Sequence, residues 1–292
     1  MNEAALKRDN IAVVTGAAVG GIGFAISRLL LDRFGLKVVL ADLSSELLND
    51  ATTELVKQGI AEDRFMTHVT DVTKYQDVAQ LADVAFERFG RVDVLVLNAG
   101  VSRPSKDFVP PEDVESNLAS WKTILDVNFF GVLHGTQAFV DRIVKQASPA
   151  AIVVTGSKQG ITQPPGNPAY NVSKSAVKSL TESLAHSLLS TQVSVRLLVP
   201  GYTFTKLTGN VGGKDKPAAA WTPDQVAEEL FRRWQQFYII CPDNDVTPAL
   251  DSARMQWSMG DIIENRPALS RWHPEYSNQF AEFVESKVGS SK

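Results

Sequence analysis

The sequence predicts an α/β fold in which a doubly wound, mostly parallel sheet carries helices on both faces and an extended C-terminal tail. Short apolar runs alternate with amphipathic segments along most of the chain, and this alternation is typical of parallel βαβ crossovers. No internal repeat or low-complexity linker interrupts the order. The 292 residues are enough for one large domain with a well-filled core. We therefore expect a single domain over residues 1–292.

The strands are predicted from continuous apolar runs. Strands buried on both faces of a parallel sheet are apolar throughout rather than alternating, and the first run, IAVVT at 11–15, has this character. Mainly apolar runs likewise predict strands at 37–41, 65–69, 92–97, 151–155, 193–199 and 237–241.

Helical patterns fill the intervals between the strands. They lie near 22–34, 44–58, 74–89, 120–147 and 168–190.

The chain changes character after residue 200. Residues 203–221 lack a strand period and are predicted to form a substrate lid. A helix is then expected after Thr222, because a threonine cap followed by proline and, three residues on, glutamine is typical of a helix start. Another helix should open at 247–248 and end at Gly260. The C-terminal extension, 261–292, carries too many aromatic residues for a disordered end, so we expect it to pack on its own domain or on a neighbouring subunit.

Composition excludes several classes of protein. The formal net charge of −4 offers no basic stripe for nucleic acid, and no apolar run approaches the roughly 18 residues that span a membrane. The single cysteine, Cys241, cannot form an internal disulfide and fits a reducing compartment. Residues 1–10 are polar and lack the apolar core of a signal peptide. A cytoplasmic protein without a metal site is therefore expected.

A glycine-rich turn, TGAAVGGIG at 15–23, lies where the first strand ends and the first helix begins. Glycines at such a turn let the backbone approach a pyrophosphate and let the helix pack closely on the strand. The free amides of the first helical turn, with the positive end of the helix dipole, then face the phosphates. Gly16, Gly21, Ile22 and Gly23 are therefore candidate cofactor contacts. A glycine-rich turn without a ligand is the alternative.

The second strand ends at Asp42, about 20 residues after the glycines, where a carboxylate can bind the hydroxyls of the adenosine ribose. This carboxylate would repel the extra phosphate of NADP, and no Arg or Lys stands beside it in residues 41–45. NAD is therefore the expected cofactor. An ordinary turn residue at the end of the strand is the alternative for Asp42.

Tyr170 and Lys174 lie four residues apart at the start of a predicted amphipathic helix. Residues at this spacing share a helix face, so the phenol and the ammonium project the same way. An ammonium beside a phenol favours the phenolate, which would let the tyrosine exchange a proton nearer neutral pH. Taken alone, the pair is as typical of a solvated helix face as of an active site.

Several motifs occur together in one order: the glycine turn, Asp42, the tripeptide 98–100 (Asn-Ala-Gly), Ser157 just past a strand, and Tyr170 with Lys174. This combination resembles the short-chain dehydrogenase/reductase family over residues 10–205, the expected cofactor-binding and catalytic core. The resemblance implies a Rossmann-like fold, a nicotinamide cofactor and hydride transfer to or from a carbonyl carbon.

The resemblance also implies a catalytic set of Asn128, Ser157, Tyr170 and Lys174. Ser157 would hold the substrate oxygen, on which negative charge develops during reduction. Tyr170 would give that oxygen a proton in reduction or take one in oxidation. Lys174 would lower the tyrosine pKa and bind the nicotinamide ribose. Asn128 would anchor a water that links Lys174 to solvent.

Further cofactor contacts are implied at the later strand ends. Asp71 and Val72 match a segment that touches the adenine ring, and residues 98–100 would flank the adenosine ribose. Residues 200–205 resemble a stretch that closes over the nicotinamide, whose carboxamide Thr203 or Thr205 would bind. The candidate cofactor residues are Gly16, Gly21, Ile22, Gly23, Asp42, Asp71, Val72, Asn98, Ala99, Gly100, Tyr170, Lys174, Pro200, Gly201, Thr203 and Thr205.

Two features depart from the family pattern. Four residues, rather than three, separate Gly16 from the Gly-Ile-Gly at 21–23, so Gly20 is a weaker candidate contact than its neighbours. Lys158 and Gln159 follow Ser157 and lie near the expected substrate cleft. A lone lysine is expected to reach solvent. The alternative is that Lys158 or Gln159 meets a polar or anionic group of the substrate.

The expected function is NAD(H)-dependent hydride transfer between nicotinamide and a secondary alcohol or ketone. An NADP(H)-dependent ketoreductase, a non-redox dehydratase or isomerase, and a cofactor-sensing protein are the alternatives on the same fold. The partners expected are a small alcohol or carbonyl substrate and other copies of the chain. The resemblance implies a homodimer or homotetramer formed through the helices near 120–147 and 168–190.

Overall fold

The computed structural model of the chain describes residues 3–103, 105, 114–209 and 215–289. Within these residues, seven strands form one sheet in the order β3-β2-β1-β4-β5-β6-β7, and every neighbouring pair is parallel. The strands are β1 (Ile11–Thr15), β2 (Lys37–Asp42), β3 (Phe65–Val69), β4 (Val94–Leu97), β5 (Ala150–Thr155), β6 (Val193–Val199) and β7 (Tyr238–Ile240). The predicted doubly wound fold is confirmed.

Helices cover both faces of this sheet. The helices are α1 (Ile22–Asp32), α2 (Ser45–Lys57), α3 (Tyr75–Phe89), α4 (Val114–Leu125), α5 (Gly131–Lys145), α6 (Gln159–Thr162), α7 (Pro168–Ser187), α8 (Pro223–Arg232), α9 (Pro248–Ile263) and α10 (Ser277–Val288).

Alternate residues of each central strand enter two separate cores. In β1, Ala12 and Val14 pack with side chains of α1, α2 and α8 on one face. Val13, between them, packs with side chains of α3, α5 and α7 on the other face. Successive strand residues point to opposite faces, so a strand between two helical layers is mainly apolar on both of its sides. This is why the strands could be predicted as continuous apolar runs.

The segment predicted as one helix at 120–147 is divided. A π-helical turn at Asp126–Phe130 separates α4 from α5. Such turns are rare and are frequently found at functional sites, and this one contains the candidate residue Asn128.

The prediction that Gly260 ends a helix is wrong, because α9 continues to Ile263. A Cβ atom at Gly260 would overlap the guanidinium of Arg266. That guanidinium donates to the carbonyl of Trp257 and lies 3.9 Å from the centre of its ring. The glycine is therefore explained by a close tertiary contact and not by a helix end.

The aromatic C-terminal extension packs against its own chain. Trp257 of α9 lies 5.4 Å from Phe280 and 5.2 Å from Phe283 of α10, measured between ring centres. Its indole nitrogen donates to Ser270 Oγ at 2.8 Å, so the polar atom of the buried ring is paired. None of the helices in the described parts of the chain is long and apolar enough to cross a membrane.

The lid predicted at 203–221 is described except for residues 210–214. Its two ends are joined, since the Phe204 amide donates to the Trp221 carbonyl and the Trp221 amide donates to the Tyr202 carbonyl, both at 2.8 Å. The helix start predicted after Thr222 is confirmed. Thr222 and Gln225 form a capping box at the beginning of α8.

Candidate active site

A cavity of about 370 Å³ opens at the carboxyl ends of the strands. Strand order reverses between β1 and β4, and ligands of open α/β sheets bind in the crevice at this point. The sequence-predicted residues that line this strand-end cavity are Gly16, Gly21, Ile22, Asp42, Asp71, Val72, Asn98, Ala99, Gly100, Ser157, Tyr170, Lys174, Pro200, Gly201, Thr203 and Thr205. Two predicted residues, Gly23 and Asn128, lie behind its wall.

The glycine turn forms one wall of the cavity by a close backbone approach. Gly16 has a φ of +68°, and a Cβ atom there would lie 2.7 Å from Ala99 Cα. Only glycine satisfies both the left-handed conformation and this spacing. α1 begins at Ile22, so the first amides of that helix, which have no partner within the helix, lie at the cavity.

Gly23 acts beneath the cavity. A Cβ atom at Gly23 would overlap the Gly16 carbonyl and lie 2.6 Å from Asn98 Nδ2, so the glycine allows α1 to pack directly on the turn. Gly20 is different, because its φ is +80° and a Cβ there would have no neighbour within 4 Å. The extra residue of this turn therefore lies on the open side of the turn, away from the contacts between Gly16, Gly23 and Asn98.

Asp42 presents a carboxylate to the cavity from the end of β2. One of its oxygens accepts the Ala18 amide and the other accepts the Leu43 amide, both at 2.8 Å. The carboxylate is thereby fixed beside the glycine turn. Each oxygen keeps lone pairs that could accept a further donor.

Asn98 clamps three strand ends together. Its side-chain amide donates to the carbonyls of Thr15 and Gly16 at 3.2 and 3.0 Å, and its side-chain oxygen accepts the Thr155 hydroxyl at 3.1 Å. The residue therefore shapes the cavity at the switch point in addition to lining it.

The segment after β3 forms another part of the wall. Asp71 lines the cavity with Val72. One of its oxygens accepts the Thr73 hydroxyl at 2.7 Å and the Thr73 amide at 3.1 Å, and the other lies 3.3 Å from the ammonium of Lys74. The carboxylate is held within its own turn.

Ser157, Tyr170 and Lys174 meet at the nearby ends of β5 and α7. Asn167 caps α7 by accepting the Tyr170 amide, and Lys174 follows one turn later on the same face. The Ser157 hydroxyl lies near enough to the Tyr170 phenol to lower its pKa, and both side chains line the cavity. The Lys174 ammonium donates to the Thr155 carbonyl at 2.9 Å and lies 5.8 Å from the centre of the tyrosine ring.

Burial governs the protonation of this group. Burial lowers the pKa of Lys174 from 10.5 to about 8, because a charged ammonium is disfavoured away from water. Burial also raises the pKa of Tyr170 above its ordinary value of 10, and the neighbouring Ser157 hydroxyl opposes this rise. The expected lowering of the tyrosine pKa by Lys174 is therefore not found. The ammonium is directed to the Thr155 carbonyl, and desolvation of the phenol is the larger effect.

Asn128 lies in the π-helical turn and makes hydrogen bonds that hold the neighbouring segments of the site in place. It is fully buried, its side-chain oxygen accepts the Val101 amide at 2.8 Å, and its amide donates to Val101 O and Ser173 Oγ, both at 3.0 Å. A Cβ atom at Gly100 would lie 3.3 Å from Asn128 Oδ1 and 3.6 Å from Lys174 Nζ. Asn128 and Lys174 therefore pack on the same glycine.

Lys158 is largely buried and paired, contrary to the expectation that it extends freely into solvent. Its ammonium lies 3.1 Å from Asp243 Oδ2 and 2.5 Å from Asp251 Oδ2, and all three side chains are largely buried. Sequence reasoning missed both aspartates. Asp243 is 85 residues from Lys158, and no periodicity or motif connects positions so far apart. Among the residues that the structure describes, no cluster of His, Cys, Asp or Glu is arranged to hold a metal ion.

A family model described as short chain dehydrogenase matches residues 10–216. The chain belongs to the short-chain dehydrogenase family. As a member it is an oxidoreductase, and the fold of this family binds a nicotinamide cofactor. The cavity fits such a group, since the glycine wall excludes side-chain atoms where a diphosphate would approach and Asp42 and Lys174 both reach the same space.

Named relatives agree with this assignment. The chain is 36% identical over 201 residues to 1-deoxy-11-beta-hydroxypentalenate dehydrogenase of Streptomyces avermitilis. The aligned residues cover 69% of this chain and 71% of the relative. A short-chain dehydrogenase/reductase from Burkholderia phymatum in complex with NAD has a TM-score of 0.77 and 30% identity, over 91% of this chain and 97% of that one. An alcohol dehydrogenase from Thermococcus sibiricus complexed with 5-hydroxy-NADP has a TM-score of 0.66 and 29% identity, over 78% of this chain and 91% of that one.

Proposed function

We propose that this short-chain dehydrogenase transfers a hydride between NAD(H) and a secondary alcohol or ketone, with Tyr170 as the general acid and base. The observation that carries the proposal is that Asp42 and the Ser157–Tyr170–Lys174 group line one cavity. β2 and β5 are three sheet positions apart, which corresponds to about 14 Å at the usual strand spacing. This distance separates Asp42, which would bind the adenosine ribose, from Tyr170, which would transfer the proton. The two ends of an extended dinucleotide are separated in the same way.

The preference for NAD over NADP is supported by Asp42. Its carboxylate is held at the cavity by two backbone amides, so it cannot easily turn away from a phosphate on the ribose 2′ position. Like charges held close together repel by several kcal/mol where water is partly excluded. The adjacent residues 41–45 contain no Arg or Lys to compensate.

The nicotinamide would supply the hydride chemistry, and the protein supplies orientation and proton transfer. Ser157 is placed to hold the substrate oxygen, because it lines the cavity beside the Tyr170 phenol. The raised pKa of Tyr170 keeps the phenol protonated at neutral pH in the free protein. This is the form that gives a proton to the oxygen of a ketone as it is reduced. Lys174, charged below about pH 8, is placed to donate hydrogen bonds to a ribose. We retain the proposal that Asn128 anchors a water leading to Lys174.

We further propose a cytoplasmic homodimer or homotetramer that acts on a small alcohol or carbonyl compound. Association through α4, α7 and the π-helical turn before α5 is supported by the apolar side chains that they expose, at Val114, Leu118, Phe130 and Val172. The buried free thiol of Cys241 suits a reducing compartment.

The experiment is a titration of the protein with NADH and NADPH by fluorescence, followed by a panel of secondary alcohols and ketones monitored at the nicotinamide absorbance. Tyr170→Phe should reduce turnover at least 100-fold, because general acid–base catalysis contributes about this much, and should leave NADH binding nearly unchanged. Tyr75→Phe, at a half-exposed ring on α3, is the matched control.

The outcomes separate the alternatives. NADH binding with turnover that is lost in Tyr170→Phe supports the proposal. Tighter binding of NADPH would favour the ketoreductase alternative. Cofactor binding without turnover of any compound would favour a non-redox or sensing role, and substantial turnover in Tyr170→Phe would contradict the acid–base assignment.

A further inference from the structure

The residue after Ser157 is the centre of a buried ionic cluster. Lys158 is 16% exposed and contacts two carboxylates, Asp243 and Asp251, whose side chains are 10% and 6% exposed. Buried charges persist only when they are paired. The cluster therefore holds together three parts of the chain: the loop after β5, the loop after β7 and the first turn of α9.

Asp243 extends the cluster to the 200–205 segment, the stretch that the family resemblance places over the nicotinamide. The carboxylate accepts the Tyr202 amide at 2.7 Å, and a Cβ atom at Gly201 would overlap it. Lys158 contacts the same stretch directly, because its own amide donates to the Pro200 carbonyl at 3.2 Å. The backbone of the 200–205 segment is thus hydrogen-bonded both to Asp243 and to Lys158, which form an ion pair with each other.

Asp251 extends the cluster to the C-terminal part of the chain. It lies in the first turn of α9, and α9 packs against α6, which begins just after Lys158. Burial raises the pKa of Asp251, while the charges of Lys158 and Arg254 oppose the rise. Arg271 also faces this group, and burial lowers its pKa to about 10. The cations near Asp251 are therefore Lys158, Arg254 and Arg271, and the thiol of Cys241 lies near Asp243 and Lys158.

We propose that Lys158 is a positioning residue that sets the separation between the Ser157 hydroxyl and the 200–205 segment. This inference rests on the proposed function, since it assigns Lys158 to the same oxidoreductase site. Lys158 follows Ser157 directly in the chain. Its ion pair with Asp243 links it to Tyr202, whose amide the Asp243 carboxylate accepts. Its contact with Asp251 makes α9 the outer support of that arrangement.

The charge of Lys158 is the essential feature. Without it, Asp243 and Asp251 would face each other with little solvent, and like charges in that setting repel strongly. The two loops would then separate, or one carboxylate would take up a proton. A Lys158→Met variant therefore becomes sensitive to pH in a way that the parent protein is not.

Hydrogen exchange tests the link without needing a substrate. Lys158→Met should increase amide exchange in peptides covering 157–163 and 200–205 at least tenfold. Lys158→Arg, which keeps the charge, should restore most of the protection. Lys145→Met is the matched control, because it removes the lysine of an exposed pair with Asp141. Asp243→Asn is a second variant that should loosen 200–205 even where Lys158→Met does not fold.

Kinetics test the consequence for the site. Lys158→Met should lower kcat at least tenfold on the best ketone of the panel. The Kd of NADH should rise by a smaller factor, since the variant loosens the 200–205 segment but leaves Asp42 and the glycine turn untouched. The lost kcat should be partly recovered as the pH falls, because protonation of one carboxylate removes the repulsion.

The outcomes distinguish this proposal from the proposed function. Exchange in Lys158→Met equal to that in Lys145→Met would overturn the positioning role, as would a kcat loss that is independent of pH and not rescued by Lys158→Arg. If the parent protein binds neither NADH nor NADPH, the proposed function fails. The exchange data would still decide whether Lys158 joins the two segments.

Discussion

Lys174 should reduce the stability of the folded protein at neutral pH. The residue is 4% exposed, and its ammonium has a hydrogen bond to the Thr155 carbonyl. Burial lowers its pKa from 10.5 to about 8, which means that folding makes the charged form less favourable. Replacing Lys174 by Met keeps an unbranched side chain, one atom shorter, and removes the charge.

The size of the effect follows from the pKa. A fall from 10.5 to about 8 corresponds to about 3 kcal/mol against the folded state when the lysine is protonated. The variant leaves the Thr155 carbonyl without this donor, which costs about 1 kcal/mol. Lys174→Met should therefore be more stable than the parent protein by about 2 kcal/mol at pH 7, although its turnover is lost.

The dependence on pH has a definite sign. Below about pH 8 the lysine is protonated in both the folded and the unfolded chain, so the whole penalty is present. Between about 8 and 10.5 the folded protein holds a neutral amine and the unfolded chain an ammonium, so the parent protein gains stability relative to the variant as the pH rises. The advantage of Lys174→Met should thus be largest below pH 8 and should vanish before pH 10.5 is reached. Above pH 10.5 only the lost hydrogen bond to Thr155 remains, so the parent protein should be the more stable by about 1 kcal/mol.

Urea unfolding at several pH values measures this difference. With a slope near 2 kcal/mol per molar urea, the variant's midpoint should lie about 1 M above that of the parent at pH 7. Lys178→Met is the control, because Lys178 is one turn further along α7 in a partly exposed pair with Glu182, and such pairs contribute about 0–1 kcal/mol. A Lys174→Met variant that is less stable than the parent at pH 7, by an amount that does not change with pH, would refute the reasoning.

Two further predictions concern the cofactor wall. Asp42→Ala removes the acceptor of the Ala18 amide and the proposed ribose contact, so NADH binding measured by fluorescence should weaken about 10- to 100-fold, as expected for a charged hydrogen bond. An unchanged ratio of NADH to NADPH affinity would contradict the assignment. Gly23→Ala places a Cβ against the Gly16 carbonyl and should cost about 1–3 kcal/mol of stability and weaken NADH binding. Gly289→Ala, where a Cβ meets nothing, is its control, and equal melting temperatures for the two variants would show that α1 does not pack closely on the turn.

Local patterns predicted most of the elements. The strands at 11–15, 65–69 and 193–199 have the predicted bounds, because each is a mainly apolar run set between segments with a helical period. The fourth strand starts two residues later than predicted, at Val94. Asp93, within the predicted strand, is fully buried and pairs with Arg91 and the Ile11 amide. Asp93 and Ile11 are 82 residues apart, and a contact over such a distance produces no pattern in the sequence near either residue.

In the candidate site, too, local features could be predicted from the sequence and features that depend on distant residues could not. The four-residue spacing of Tyr170 and Lys174 is a helical property, so their shared face could be read from the chain. The direction of the tyrosine pKa could not, because it depends on how completely the surrounding elements bury the phenol and on where the ammonium points. The prediction for Lys158 failed for a related reason, since its partners come from a loop and a helix distant in sequence.

The sequence by itself determined the order of the elements, the glycine turn and the succession of candidate residues at strand ends. These are consequences of backbone geometry and periodicity within a few residues. The tertiary structure decided the burial of Tyr170 and Lys174, the bracing contacts of Asn128, and the ionic cluster of Lys158 with Asp243 and Asp251. Burial and charge pairing are set by all the elements that meet at one place, and that meeting exists only after the sheet has formed.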